Sequence, residues 1–226
     1  MAARHWIGLQ ALTAVILLVG CGSAPSTAAA TPHPSPEPSV SSASLLAYTA
    51  RGADLGAGWT ETPTTDGTSL TITTGEHPCL IAFNSDTERL AKNGVTFHNP
   101  NDQSQVFNDV TVYRGTGAQE AIKETRTMLA SCTHYTQLNN VGHTVQIDVH
   151  ASTANVSQVG DDRVVFDLRA TVDGRIIYSV VFTVRVGKYL TTIYTISLDG
   201  AEAGRLAGLA AAASTLRLKA ATGHSG

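Results

Sequence analysis

Three cysteines are the residues of this sequence best able to do covalent chemistry, and their surroundings give them different work. Cys21 directly follows Leu18-Val19-Gly20, at the end of an apolar run from Trp6 to Val19 that is preceded by Arg4 and interrupted only by Gly8, Gln10 and Thr13. A positive start, an apolar stretch too short for a comfortable span and a cysteine after Leu-x-Gly read as a signal peptide with a lipoprotein processing box. Such a box predicts that the Cys21 thiol receives diacylglycerol and that cleavage makes Cys21 the first residue of the mature chain. Two or three palmitate-type chains, each adding about 0.8 kcal/mol per buried methylene, would hold the protein stably on the outer face of the cell membrane.

Cys79 and Cys132 are then an even pair in an exported chain, which predicts a disulfide between them. Closing a loop of that length is worth roughly 4 kcal/mol in the chain-entropy description. A redox or metal role would call for Cys-x-x-Cys or an adjacent ligand cluster, and the sequence has neither.

Beyond the cysteines the sequence offers little reactive chemistry. It contains no His-Glu-x-x-His, Gly-x-Ser-x-Gly, Ser-x-x-Lys or phosphate-cradling glycine loop, so no enzyme activity and no cofactor is expected. His77, His98, His134, His143 and His150 are scattered without ligand spacing, which predicts no metal site. Asp161-Asp162 reads as turn chemistry beside Gly160, and Asn155-Val156-Ser157 matches a glycosylation sequon that a bacterial lipoprotein has no use for. A net charge of -3 with 15% charged residues gives no basic stripe, so nucleic acid is not an expected partner.

One constellation remains. If residue 170 lies opposite residue 176, Arg163, Arg169, Arg175 and Arg185 share one polar sheet face, partly offset by Asp167. The plain reading is a solvated outer face; the sharper one is a site for anionic envelope groups, whose oxygens guanidinium forks match.

The elements that would position these residues follow from composition and periodicity. Residues 1–20 are the expected signal peptide, and 21–43 an Ala/Ser/Pro-rich linker with Pro25, Pro32, Pro34, Pro36 and Pro38 and too few large apolar residues for a core. Residues 44–218 are the expected folded domain, and 219–226 a flexible tail. Leu45, Leu46 and Tyr48 begin a short helix that the glycines from Gly52 to Gly58 end, delivering Trp59 as a buried anchor. Leu70 to Thr74 reads as a short strand, Asp86 to Asn93 as a helix stopped by Gly94, and Val106 to Arg114 as a strand. Thr116 to Cys132 is amphipathic, with Ala118, Ala121, Ile122, Thr125, Met128, Leu129 and Cys132 on one stripe and Glu120, Lys123, Glu124 and Arg126 solvated on the other.

Val145, Ile147 and Val149 alternate with polar residues in a strand. In the next two strands the apolar residues fall on even positions, from Val164 to Val172 and from Ile176 to Val186. Equal parity predicts a three-residue turn that aligns both sets on one face, with Gly174 left-handed in a bulge. A third strand from Leu190 to Leu198 completes a meander. Asp199 and Glu202 then open a final helix as a capping box, with Leu206, Leu209, Ala210, Ala213 and Leu216 as its apolar stripe. The expected class is α+β, an antiparallel sheet flanked by helices with one disulfide.

Together, the processing box, the Pro-rich linker, Leu45-Leu46 leading to Gly58-Trp59, Cys79, the helix ending in Cys132, Val159-Gly160-Asp161, Val184-Arg185-Val186-Gly187 and the Ala-rich closing helix resemble actinobacterial lipoproteins. These are similar to the extracellular sensor domain of mycobacterial PknH-type serine/threonine kinases. The resemblance covers most of residues 44–218 and implies an α+β body with a ligand-binding cleft. It also implies sensing passed to a partner, because the chain carries no kinase domain. The kinase-linked members have two disulfides, and this chain has cysteines for one. The expected function is a lipid-anchored, extracytoplasmic binding or sensing lipoprotein for a small molecule, lipid or envelope polymer. The alternative is an adaptor that docks on another envelope protein.

Overall fold

The computed structural model describes residues 40–64, 77–138, 142, 144–152, 159–172 and 174–224. The signal peptide, Cys21, most of the linker, the strand expected at Leu70 to Thr74, His143 and the sequon lie outside the described residues. Helices α1 (Ser42–Leu45) and α2 (Gly52–Leu55) are followed by strands β1 (Thr60–Pro63), β2 (Arg89–His98) and β3 (Gln105–Tyr113). Helix α3 (Gly117–Ser131) precedes β4 (His134–Leu138), β5 (Thr144–Ala151), β6 (Asp162–Val172), β7 (Arg175–Val186) and β8 (Tyr189–Ile196), and α4 (Gly200–Thr222) closes the chain. The strands form one antiparallel sheet in the order β1-β2-β3-β8-β7-β6-β5-β4. This is the α+β class that the sequence predicts.

The register of β6 and β7 differs from the expectation. Val172 faces Arg175, so two residues rather than three make the turn, and Ala170 faces Ile177. Gly174 does take the left-handed conformation, at φ +75°. A two-residue turn sends the even positions of the two strands to opposite faces of the sheet. Val164, Phe166 and Leu168 join Val181 of β7 under α3, whereas Val180, Phe182 and Val184 pack under α4. The sheet therefore carries a helix on each side, and the central strands are buried on both faces.

Helix α4 lies on its sheet face through Ala203, Leu206, Ala207, Ala210, Ala211, Ser214 and Leu218. Of the expected stripe, Leu209 and Leu216 point outward, at 38% and 68% exposure. The small side chains face the sheet because a close-lying helix has room for alanine and little for leucine. The helix runs to Thr222, past the expected start of the tail, and ends at Gly223 in a left-handed cap. Asp199 caps its start by accepting from the Ala201 and Glu202 amides, but Glu202 turns to Arg205 instead of completing the box.

A buried polar chain locks the N-terminal turns to this layer. Asn108 accepts from the Ala50 amide at 2.7 Å and donates to Thr191 Oγ1 at 2.9 Å; Thr191 meets Ser214 Oγ at 2.7 Å, and Ser214 donates to the Tyr48 carbonyl at 2.7 Å. Asn108, Thr191 and Ser214 are wholly buried, so each bond is made where water cannot replace it. The Arg217 guanidinium reaches Asp54 of α2 at 2.8 Å, and Trp59 packs half-buried against the same core. The Gly52 run thus forms α2 rather than a helix stop.

The segment expected to be helical, Asp86 to Asn93, is a 3-10 turn at Asn84–Glu88 followed by β2. Its polar residues are ones that a strand can satisfy. Asn93 donates to the Ser42 carbonyl at 3.0 Å, and Lys92 lies 3.6 Å from Asp109 on β3. Gly94 does not end a helix; it sits opposite Asp109, whose carboxylate occupies the space a β-carbon would need.

Asn108→Ala removes the middle of the buried chain and strips the Ala50 amide and the Thr191 hydroxyl of a partner. At about 1–3 kcal/mol per orphaned group, urea unfolding should show a loss of about 3 kcal/mol. A loss below about 0.5 kcal/mol would contradict the buried network.

Candidate functional site

The sheet face beneath α3 is only partly covered, and a cleft of about 310 Å³ opens there. Its floor is built by register. Pairings of Gly94 with Asp109, Asp109 with Thr192, Thr192 with Thr183 and Val181 with Phe166 put alternate residues of five strands on one face. Across the floor, β2 and β3 supply Lys92, Asp109, Thr111 and Tyr113; β8 supplies Leu190, Thr192 and Tyr194; β7 and β6 supply Val181, Thr183, Phe166 and Leu168. The roof is Ala121, Thr125 and Met128 of α3, with Tyr135 and Gln137 of β4 at the side. The helical stripe read from the sequence is the one that turns toward this face, with Ala118, Ala121, Ile122, Thr125 and Met128 buried.

A strap of chain, residues 77–88, forms the remaining wall through His77, Pro78 and Phe83. Three sets of bonds hold it. The Cys79–Cys132 disulfide, with Cα atoms 6.3 Å apart, ties it to the end of α3, as the cysteine count predicts. Glu124, expected to be solvated, accepts from the Asn84 amide at 2.8 Å, the Ser85 amide at 3.2 Å and the Ser85 hydroxyl at 2.6 Å. Asp86, whose side chain is fully buried, accepts from the Phe83 amide at 3.2 Å, pairs with Arg89, and lies 2.9 Å from His77 Nε2, whose ring stacks on Phe83 with centroids 4.0 Å apart. Cys79 and Leu80 both take positive φ, 63° and 55°, a conformation that these bonds must hold in place for residues other than glycine.

The electrostatics fit a closed set of paired charges. Burial pushes the Asp86 carboxyl up, but the hydrogen bond and charge of His77, the charge of Arg89 and the Phe83 amide outweigh it and hold the group below its ordinary value. Burial, with a smaller contribution from Tyr194, pushes the Tyr135 phenol up to about 12. Burial also raises Tyr194, whose hydroxyl is 3.2 Å from Ser179 Oγ. Asp86 is thus fastened into the strap as a carboxylate, and the two phenols stay protonated at neutral pH. None of these shifts poises a group as a general base near neutrality.

Of the four arginines, the register brings no shared face together. Arg163 and Arg169 lie on the α4 side, opposite Val184 and Tyr178, whereas Arg175 and Arg185 lie on the α3 side, opposite Val172 and Asp162. Arg169 sits over the Tyr178 ring at 5.8 Å, and Arg185 reaches Asp161 at 3.3 Å and the Gly187 carbonyl at 3.2 Å. The aspartate pair is more than a turn. Asp162 receives both arms of the Arg126 guanidinium, which holds its carboxyl low, and Asp161 accepts from the Gly187 amide at 2.7 Å. Sequence reasoning named neither the cleft floor nor the strap. Asp109 and Thr111 were legible as strand residues, whereas Lys92 fell in the segment expected to be helical, and their convergence depends on pairing between distant strands. Among the described residues no group of metal-binding side chains comes together, and no helix is long and apolar enough to cross a membrane.

No family model and no curated protein matches the chain. Among solved structures, its fold is similar to the crystal structure of the extracellular domain of PknH from Mycobacterium tuberculosis. The two share 14% identity at a TM-score of 0.56, over 77% of this chain and 96% of that domain. The resemblance read from the sequence is thereby matched at the level of fold.

Asp86 links the strap to pH. Its carboxyl is depressed in the folded state, so its contribution is complete above its unfolded value near 4 and is lost as pH falls through the folded value. Urea midpoints should drop steeply below about pH 4. Asp86→Asn should be less stable at pH 7 and lose less on acidification; an unchanged acid slope in that variant would contradict the assignment.

Proposed function

We propose that this chain is a lipid-anchored lipoprotein on the extracytoplasmic face of the cell membrane, whose non-catalytic domain binds a small ligand in the cleft beneath α3. The observation that carries the reading is the cleft itself: a partly apolar hollow with a few convergent polar groups, the usual form of a small-molecule site. The likeness to an extracellular domain supports the location, and the processing box at Cys21 supports the anchor. The Pro-rich linker would hold the domain off the bilayer in an extended conformation of about 3.1 Å per residue. The four arginines no longer support an anion site, since they divide between two faces. A second reading, docking on another envelope protein, draws on Leu209 and Leu216, which stand exposed one heptad apart on the outer side of α4.

Expressed in a bacterium with lipoprotein processing, the chain should incorporate an alkyne-tagged palmitate and sediment with membranes. Cys21→Ser should abolish both. Label retained by that variant would overturn the anchor while leaving the cleft untested by that assay.

A further inference from the structure

The charged side chains of the sheet floor stand at one end of the strand order, although Tyr113 and Leu190 add apolar surface to that half and Gln137 of β4 adds an amide beyond the other. At the β6–β7 side the floor is Phe166, Leu168 and Val181, roofed by Ala121 and Met128. At the β2–β3 side it is Lys92, Asp109 and Thr111, with Thr192 of β8 and Thr183 of β7 between the two halves. A ligand that fits both ends must itself be apolar at one end and polar at the other.

The polar end further restricts the head group. Lys92 is matched by Asp109 at 3.6 Å, and Arg89 by the fully buried Asp86. The Lys92 and Asp109 side chains are only 16% and 28% exposed. An anionic head would compete with Asp109 for Lys92, and a cationic head would compete with Lys92 for Asp109; either weakens an ion pair already made in a poorly hydrated site. Hydroxyl groups avoid this cost. They accept from the ammonium, donate to the carboxylate and exchange hydrogen bonds with threonine hydroxyls, leaving the ion pair intact. At about 310 Å³ the cleft is at the lower end of the roughly 300–1,000 Å³ found for small-molecule sites, room for one short chain and a compact head.

We infer that the cleft binds a single-chain amphiphile with an uncharged, hydroxyl-bearing head, its chain against β6, β7 and α3 and its head on the Lys92–Asp109 pair. This deepens the ligand-binding reading above and rests on it.

The test uses the full chain in an amphipol and a glycerol monoether bearing a diazirine on its alkyl chain, with crosslinks mapped by mass spectrometry. Labels should fall on α3, β6 and β7. Octylglycerol and octyl glucoside should displace them about tenfold more effectively than octanoate or octyltrimethylammonium. Met128→Trp, which fills the apolar end, should remove the labels, with a lowered unfolding midpoint because Met128 is also packed in the core. The competition series on the native chain decides the matter if that variant does not fold. Labels in the cleft displaced best by a charged competitor would overturn the uncharged head while leaving the cleft a binding site. Labels confined to other surfaces would overturn the inference and the ligand-binding reading together.

Discussion

The pairing of β6 with β7 is the constraint on which the rest of this architecture depends. Both strands carry their apolar residues on even positions, and a turn of two residues then cannot put the two sets on the same side. Each face of the sheet is left with an apolar half that needs its own cover. Helix α4 meets one demand with alanines close to the β-strands, and α3 meets the other more loosely, with Met128 and Ile122 across Phe166 and Val181. The cleft is the space left between α3 and the second face where the helix does not close on the sheet.

A hollow beside a short helix would be expected to collapse unless its walls were held apart, and the strap supplies that restraint. One covalent bond, one carboxylate taking three bonds from a single turn, and one buried carboxylate shared by His77, Arg89 and the Phe83 amide all act on residues 77–89. On the far side of the sheet the Asn108-Thr191-Ser214 chain fixes α4 and the N-terminal turns, so that the floor of the cleft is backed by a rigid layer. Site and scaffold are therefore joined through the same central strands, β3, β7 and β8.

What the sequence made legible is what local pattern governs. Strands β3, β5, β6, β7 and β8, the helix from Gly117 to Ser131 with its buried stripe, and the pairing of Cys79 with Cys132 all follow from periodicity or cysteine count; β4, a polar stretch after Cys132, does not. The features that escaped are set by distant partners. Asp86 to Asn93 looked helical because its polar residues had no visible reason to be in a strand; Asp109 and the Ser42 carbonyl supply that reason from elsewhere in the chain. Glu124 and Arg126 looked solvated because the strap and Asp162 cannot be seen in a helical wheel. The α4 stripe was read out of phase because leucine was weighted above alanine, whereas close packing on a sheet reverses that preference at Leu209 and Leu216. The arginine face failed for the same reason as the hairpin: one residue of register moves every side chain to the other side.

The most direct measurement of the account is the set of cross-strand contacts in the β6–β7 hairpin, read as through-space couplings between α-protons by nuclear magnetic resonance. The two-residue turn predicts contacts of Asp167 with Val180 and of Arg169 with Tyr178. Contacts of Asp167 with Ser179 and of Arg169 with Ile177 would instead report the three-residue turn. That result would return both apolar sets to one face and contradict the two-sided sheet and the cleft built on it.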